Sequence, residues 1–180
     1  GDVPILIGGL EASLRRCAHY DYWDNKVRRS ILVDSGADIL MYGMGERSIV
    51  RLAQLLDKGV PVKKIRDVRG TAYLCKIGEK TAFPVAENYK FLDREPLHDM
   101  FDKDSDEPLP AGYSYDLLKT DREVYADSFR VQYFQNDSVH GKSIVEYYDK
   151  KMLVVNPPQP PLEREELDEV YKIPFTRTYH

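Results

Sequence analysis

Between Pro4 and Glu46 the sequence PILIGGLEASLRRCAHYDYWDNKVRRSILVDSGADILMYGMGE carries two short apolar runs, each ending in a glycine turn with a carboxylate just beyond. Gly8-Gly9 precedes Glu11, and Gly43-Met44-Gly45 precedes Glu46. If the two runs are parallel neighbours, both turns emerge at the carboxyl edge of one sheet, where open α/β folds bind ligands. Gly9, Gly43 and Gly45 then allow close backbone approach, and Glu11 and Glu46 stand beside the same crevice. The plainer alternative is that the glycines make tight turns and the glutamates favour helix starts.

Other spacings are less productive. Gly43-Met44-Gly45-Glu46-Arg47-Ser48 has the strand-to-helix context of a dinucleotide fingerprint, but Ser48 replaces the third glycine and Asp67 precedes the next strand instead of closing it. No GxxxxGK[ST] cradle and no nucleophile elbow occur. The block from Arg15 to Asp24 interleaves bases, aromatics and acids. Base stacking with phosphate pairing could use such a set. Its acids would repel phosphates, which favours an aromatic-anchored loop whose arginines pair with Asp21, Asp24 and Asp34. Asp102 to Asp106 matches half a calcium loop, with Glu107 where glycine is needed and Tyr113 where the bidentate glutamate belongs. His19, His98, His140 and His180 share no ligand spacing, so no metal site is assigned.

Composition bounds the class. At 180 residues with 42% apolar content, the chain fits one ordinary domain or a domain with an extension. The formal charge of −4 argues against a uniformly basic nucleic-acid binder, and DNA is not an expected partner. Basic residues nevertheless concentrate between Leu14 and Arg29, and acids between Asp99 and Glu107. Thirteen tyrosines imply amphipathic surfaces that become partly covered. Two cysteines, Cys17 and Cys75, exclude a disulfide framework and make a reduced, cytoplasmic setting the default. No run is long enough to span a membrane. The abrupt ends read as those of an excerpt from a larger protein.

The elements that must position these residues follow from periodicity. Val3–Ile7 reads as a strand buried on both faces, and Leu10–Ala18 as a short helix. Val27–Val33 has helical spacing with Gly36 as its stop. Ala37–Tyr42 is the next strand. The clearest helix runs from Glu46 to Lys58 with Ile49, Leu52, Ala53 and Leu56 on one face. A strand over Val68–Ile77, broken near Gly70, completes a strand–helix–strand series of the right-handed βαβ type. A further short strand is expected at Ala82–Val85. Phe91–Tyr115 reads as an insertion or lid. Asp121–Phe134 predicts a surface helix, Ser143–Tyr148 with Met152–Val155 a hairpin, Asn156–Pro161 an extended strap, and Glu163–Tyr171 an acidic helix. Divided by numbers, residues 1–88 form the α/β unit, 89–120 the variable insertion, and 121–180 the connector.

GGLEASLRRCAHYDYWDNKVRRSIL (Gly8–Leu32) and DSGADILMYGMGER (Asp34–Arg47) closely resemble the YgiQ-type radical SAM proteins. The likeness continues through RDVRGTAYL (Arg66–Leu74), the Asn156-Pro-Pro strap and ELDEVYKIPFTRTYH (Glu166–His180), with Phe91–Asp116 matching least. The resemblance implies a partial Rossmann-like α/β domain, similar to the cobalamin-binding domains of other radical SAM enzymes, with a parallel sheet, helices and a mixed C-terminal extension. It implies a following partial barrel whose CxxxCxxC motif holds a [4Fe-4S] cluster that binds and cleaves S-adenosylmethionine. Neither Cys17 nor Cys75 belongs to such a motif, and the DxHxxG signature of cobalamin binding is absent. On this resemblance Gly8, Gly9, Glu11, Arg15, Arg16, His19, Tyr20, Gly43, Gly45 and Glu46 face the barrel of the same polypeptide or its unknown substrate. The alternatives are a free-standing nucleotide-binding module and a protein or RNA interaction domain.

Overall fold

Glycines punctuate several of the apolar runs: the first strand ends at Gly8, and Gly70 immediately precedes the strand that starts at Thr71. The computed structural model describes residues 3–87, 111–174 and 176. β1 (Leu6–Ile7) stops at Gly8, and α1 (Gly9–Leu14) begins at once. A hairpin of β2 (His19–Asp21) and β3 (Lys26–Arg28) follows, then α2 (Ile31–Ser35), β4 (Ile39–Met41) and α3 (Glu46–Asp57). A 3-10 turn at Val62–Lys64 precedes β5 (Thr71–Lys76). Then come β6 (Tyr113–Ser114), α4 (Tyr115–Thr120), α5 (Arg122–Phe134), β7 (Ile144–Tyr148), β8 (Lys151–Val155) and α6 (Arg164–Lys172).

Six strands form one mixed sheet in the order β1-β4-β5-β8-β7-β6. The expected α/β class and Rossmann-like parallel β1/β4 neighbours are present, with Leu6 opposite Ile39. The β4–α3–β5 series is not a parallel crossover, because β4 and β5 are antiparallel. Residues 58–70 carry the chain back to the rim where β4 ended, and the Tyr42 N–H donates to the Gly70 carbonyl at 2.9 Å. β5 therefore starts where β4 stops. The hairpin is continuous with the first part of the chain, since β8 pairs with β5 over five residues. Its turn works without glycine because Asp149 takes a left-handed φ of 47°, which a short polar side chain tolerates.

Several local expectations change. The helix expected over 27–33 is instead β3 followed by α2: Asn25 turns the chain with φ 49°, and Arg28 pairs with Asp21 and Asp24 across the hairpin. β1 has two residues and lies at the sheet edge, so Val3 and Ile5 are exposed instead of buried. On α3 the buried stripe is Ser48 and Leu52 with Leu55 and Leu56 partly covered; Ile49 and Ala53 face outward. Ser48 sets this rotation because its hydroxyl bonds inward to the Arg69 carbonyl at 2.8 Å. Val85 makes a single bridge to Ser143 in place of a strand. Residues 113–120, expected within the insertion, form β6 and α4. The acidic stretch 99–107, the half calcium loop, most of the expected lid, His98 and His180 lie outside the described residues.

The sheet is covered on both faces. One apolar cluster joins Leu40, Ala72, Leu153 and Val155 to Ala12, Leu32, Leu118, Val124 and Val131 from the helices. Across the sheet, Ile39 packs with Leu52, Ile65 and Val68 under α3. Alternation along β7 sends Ile144, Glu146 and Tyr148 to the first face and Val145 and Tyr147 to the second.

Candidate functional site

The two glycine turns meet at one rim, and a serine links them. Ser13 donates from Oγ to the Gly9 carbonyl at 2.8 Å and accepts the Gly43 N–H at 3.2 Å. Gly9 and Gly43 take φ of +89° and +68°, conformations that favour glycine. Gly8 lies against Met41 of β4, where an added Cβ would sit 3.5 Å from the methionine methyl. Gly45 caps α3 with an ordinary right-handed φ, and Glu46 occupies the first turn, where an anion is favoured.

The remaining candidates divide into two groups. Glu11 on α1 and Arg15 at its C-terminal cap pair at 2.8 Å one turn apart, Glu11 exposed and Arg15 partly covered. Arg16 folds inward: it donates to the Ser13 carbonyl at 2.6 Å and to Asn136 at 3.1 Å, and its guanidinium lies 4.7 Å over the Tyr42 ring. His19 and Tyr20 sit on β2. The Tyr20 N–H donates to the Tyr125 hydroxyl at 2.9 Å, and its own hydroxyl donates to Asn25 at 2.6 Å. Burial pushes the His19 imidazole down from its ordinary pKa. Arg16 Nε, His19 Nε2 and Glu46 Oε2 are buried polar atoms without hydrogen-bond partners among the described residues. Such orphaned atoms require a reason, and a ligand or covering partner supplies one.

Two further features frame these residues: a buried glutamate that was not singled out from sequence, and the strap, expected from sequence as extended chain but without its contacts. Glu146, fully buried in β7, accepts the Ala18 N–H and the Tyr148 hydroxyl, the latter at 2.6 Å. Burial raises its pKa to about 7. A lone carboxylate inside the apolar run IVEYY was the available signal. The second feature is the strap. Asn156 Nδ2 donates to the carbonyls of Arg66 and Val68, each at 2.9 Å, and to Thr71 Oγ1. The Gly70 N–H donates to the Pro157 carbonyl at 2.7 Å, and Gln159 donates to Ser48 Oγ and the Arg69 carbonyl. Arg47 then grips Glu166 through Nε and Nη2 and donates from Nη1 to the Pro160 carbonyl at 3.2 Å. Arg47 and Ser48 of the glycine fingerprint are thus used to hold the strap over the start of α3.

The radical SAM N-terminal family model matches residues 1–180. The chain belongs to that family. A UPF0313 protein of Clostridium botulinum (strain 657 / Type Ba4) is 46% identical over 179 residues, covering 99% of this chain and 24% of the relative. A UPF0313 protein of Clostridium perfringens (strain ATCC 13124) is 45% identical over 99% of the chain and 23% of its own length. The chain therefore spans about a quarter of the length of these relatives, in which this radical SAM N-terminal region is part of one longer polypeptide. No solved structure matches it.

The residues of this radical SAM N-terminal region do not fit an iron–sulfur cluster. Cys17 and Cys75 are both buried free thiols, and burial pushes both pKa values up, Cys75 to about 11. A cluster needs thiolates. Among the described residues no three His, Cys, Asp or Glu side chains converge on a metal position, and no helix is long and apolar enough to cross a membrane.

Proposed function

We propose that this region covers the active site of a radical SAM barrel in the same polypeptide, presenting the rim of Gly8, Gly9, Gly43 and Gly45 to it. On this reading Glu11, Arg15, Arg16, His19, Tyr20 and Glu46 face the same barrel or its substrate. The [4Fe-4S] cluster and S-adenosylmethionine belong to the barrel, the sequence lacks the DxHxxG signature of cobalamin binding, and the region alone is catalytically silent. The substrate stays open, and the setting is the cytoplasm, in keeping with two free thiols.

The observation that carries this reading is the shared position of strap and rim. The strap is fastened to Ser48, Gly70 and Arg47, so the chain crosses beside the Gly43–Gly45 turn before α6. Leu10, Leu14 and Met44 add apolar surface there, exposed by 84%, 72% and 49%. Apolar groups clustered on one rim favour a covering partner. The same strap weighs against a dinucleotide at α3, because its contacts use Arg47 and Ser48.

The interaction-domain alternative has one supporting feature. Tyr22 and Trp23 lie 4.7 Å apart, exposed at the tip of the β2–β3 hairpin. Lys26 and Arg28 beside them are engaged by Asp24, which leaves little charge for phosphates.

Glu11→Ala in the full-length, cluster-loaded protein tests the barrel-covering reading. S-adenosylmethionine cleavage falls at least tenfold while the melting temperature stays constant. Unchanged cleavage sinks it.

A further inference from the structure

At the end of the sheet opposite the glycine rim lies a cleft of about 430 Å³. Its walls come from the entry of β4, the exit of β5, the entry of β8 and the segment around the 3-10 turn. The floor is apolar, with Ile65, Leu74 and Val62 among its residues. Its polar groups are Lys63, Arg66, Lys76 and Lys151 against Asp38 and Glu79. Four cations face two carboxylates in a chain whose formal net charge is −4.

Both carboxylates are already occupied. Asp38 accepts the Ile5 N–H at 2.9 Å. Glu79 holds the Arg66 guanidinium at 2.5 Å and accepts the Lys76 N–H at 2.9 Å. The three lysine ammonium groups make no ion-pair contact among the described residues, although Lys76 feels Glu79 at longer range. Lys76 and Lys151 are also directly opposite each other in the antiparallel β5/β8 ladder. Like charges facing across strands destabilise a sheet. An anion between them turns that repulsion into binding.

We propose that this cleft binds a small organic phosphate with an apolar body. The Arg66 guanidinium, which would select a planar carboxylate, is engaged through Nη1 by Glu79 and through Nε by the Lys63 carbonyl. The free cations are compact ammonium charges, which suit a rounded, doubly charged phosphate. The volume lies in the range of small-molecule sites, and the floor accepts the apolar body.

The test is amine-labelling of the full-length polypeptide, read lysine by lysine by mass spectrometry, with phenyl phosphate as the probe. Saturating phenyl phosphate slows labelling of Lys63, Lys76 and Lys151 at least about fivefold while Lys58 and Lys119, exposed elsewhere, react unchanged. Phenol gives no protection, and inorganic phosphate gives less than phenyl phosphate. In the Lys76→Gln/Lys151→Gln variant Lys63 loses its protection, and the melting temperature stays level or rises because the facing charges are gone. Lys63→Gln separately removes protection from Lys76 and Lys151. Absence of protection, equal protection by phenol or inorganic phosphate, or protection that survives these substitutions overturns the proposal.

Discussion

The Glu146 carboxylate accepts the backbone N–H of Ala18 with both oxygens, at 3.1 and 2.9 Å, across 128 residues of sequence. Tyr148 extends the contact: its hydroxyl donates to Glu146 and accepts the Ser30 N–H at 3.1 Å. Ser30 Oγ in turn donates to the Arg16 carbonyl at 2.7 Å. A buried carboxylate on β7 thereby fixes the segment that carries Arg15, Arg16, His19 and Tyr20. Those side chains are placed by the sheet, through a residue that touches none of the rim glycines.

Removing that carboxylate should be expensive. Glu146→Ala leaves the buried Ala18 N–H and Tyr148 hydroxyl without an acceptor, which costs roughly 2–4 kcal/mol. The pH dependence has a definite sign. Burial raises the folded pKa from the ordinary 4.5 to about 7, so folding takes up a proton between those values. The stabilising contribution is full below about pH 4.5 and is lost as pH rises through about 7. Urea midpoints at pH 5 and pH 8 should therefore drop further for the wild type than for Glu146→Gln. Parallel midpoints would exclude Glu146 as the titrating group.

Asn156 offers a second, chemically sharper test. Its side-chain amide nitrogen faces three acceptors, while its backbone carbonyl accepts the Tyr42 hydroxyl at 2.5 Å. Asn156→Ala should destabilise the chain by about 2–3 kcal/mol. Asn156→Asp should be worse near neutral pH, because a carboxylate oxygen then points at oxygen acceptors in a buried site. Denaturant melts that rank the two variants the other way would contradict the assigned amide orientation.

These residues show what was legible in the chain and what was not. The β1 and β4 turns, α3, α5 and α6 announce themselves by glycine, by helical spacing or by a capping glutamate, and the hairpin by two apolar runs flanking a short polar turn. Local rules decide such elements. The antiparallel course of β5 depends on pairing between residues about thirty positions apart and the central place of β8 on pairing about eighty apart, and no local pattern encodes either. The segment 27–33 has helical periodicity, yet Asn25 and the Arg28 ion pairs close a hairpin there. The rim was readable because glycine spacing marks it. Its fixings, Ser13, Glu146 and the Arg47–Glu166 clamp, require knowing which distant elements touch.

That clamp predicts a localised effect. Hydrogen bonding from Arg47 pulls the Glu166 pKa down to about 2. A depressed carboxylate contributes stability above its ordinary pKa, here 4.5, and loses it as pH falls through about 2. The ¹³C carboxyl resonance of Glu166 should titrate near pH 2 in the wild type and shift up toward the ordinary 4.5 in Arg47→Ala, where the Glu163 N–H still holds it down. At pH 6 the amides of α6 should exchange at least about tenfold faster in that variant, with β5 and β8 unchanged. Equal loss of protection across the sheet would mean that Arg47 supports the whole fold and not the strap alone.

Ser13 separates rim geometry from stability. Its hydroxyl is the link between the Gly9 carbonyl and the Gly43 N–H, both solvent-accessible, so Ser13→Ala exposes those groups to water and leaves no buried orphan. The stability change should stay within about 1 kcal/mol. If the rim faces the barrel, S-adenosylmethionine cleavage by the full-length, cluster-loaded protein should still fall at least tenfold. Ser13→Thr retains the oxygen at a small helix-propensity cost and should recover most of the rate. A stable Ser13→Ala protein with full cleavage would show that the two turns need no common alignment, and the rim would then be a folding feature only.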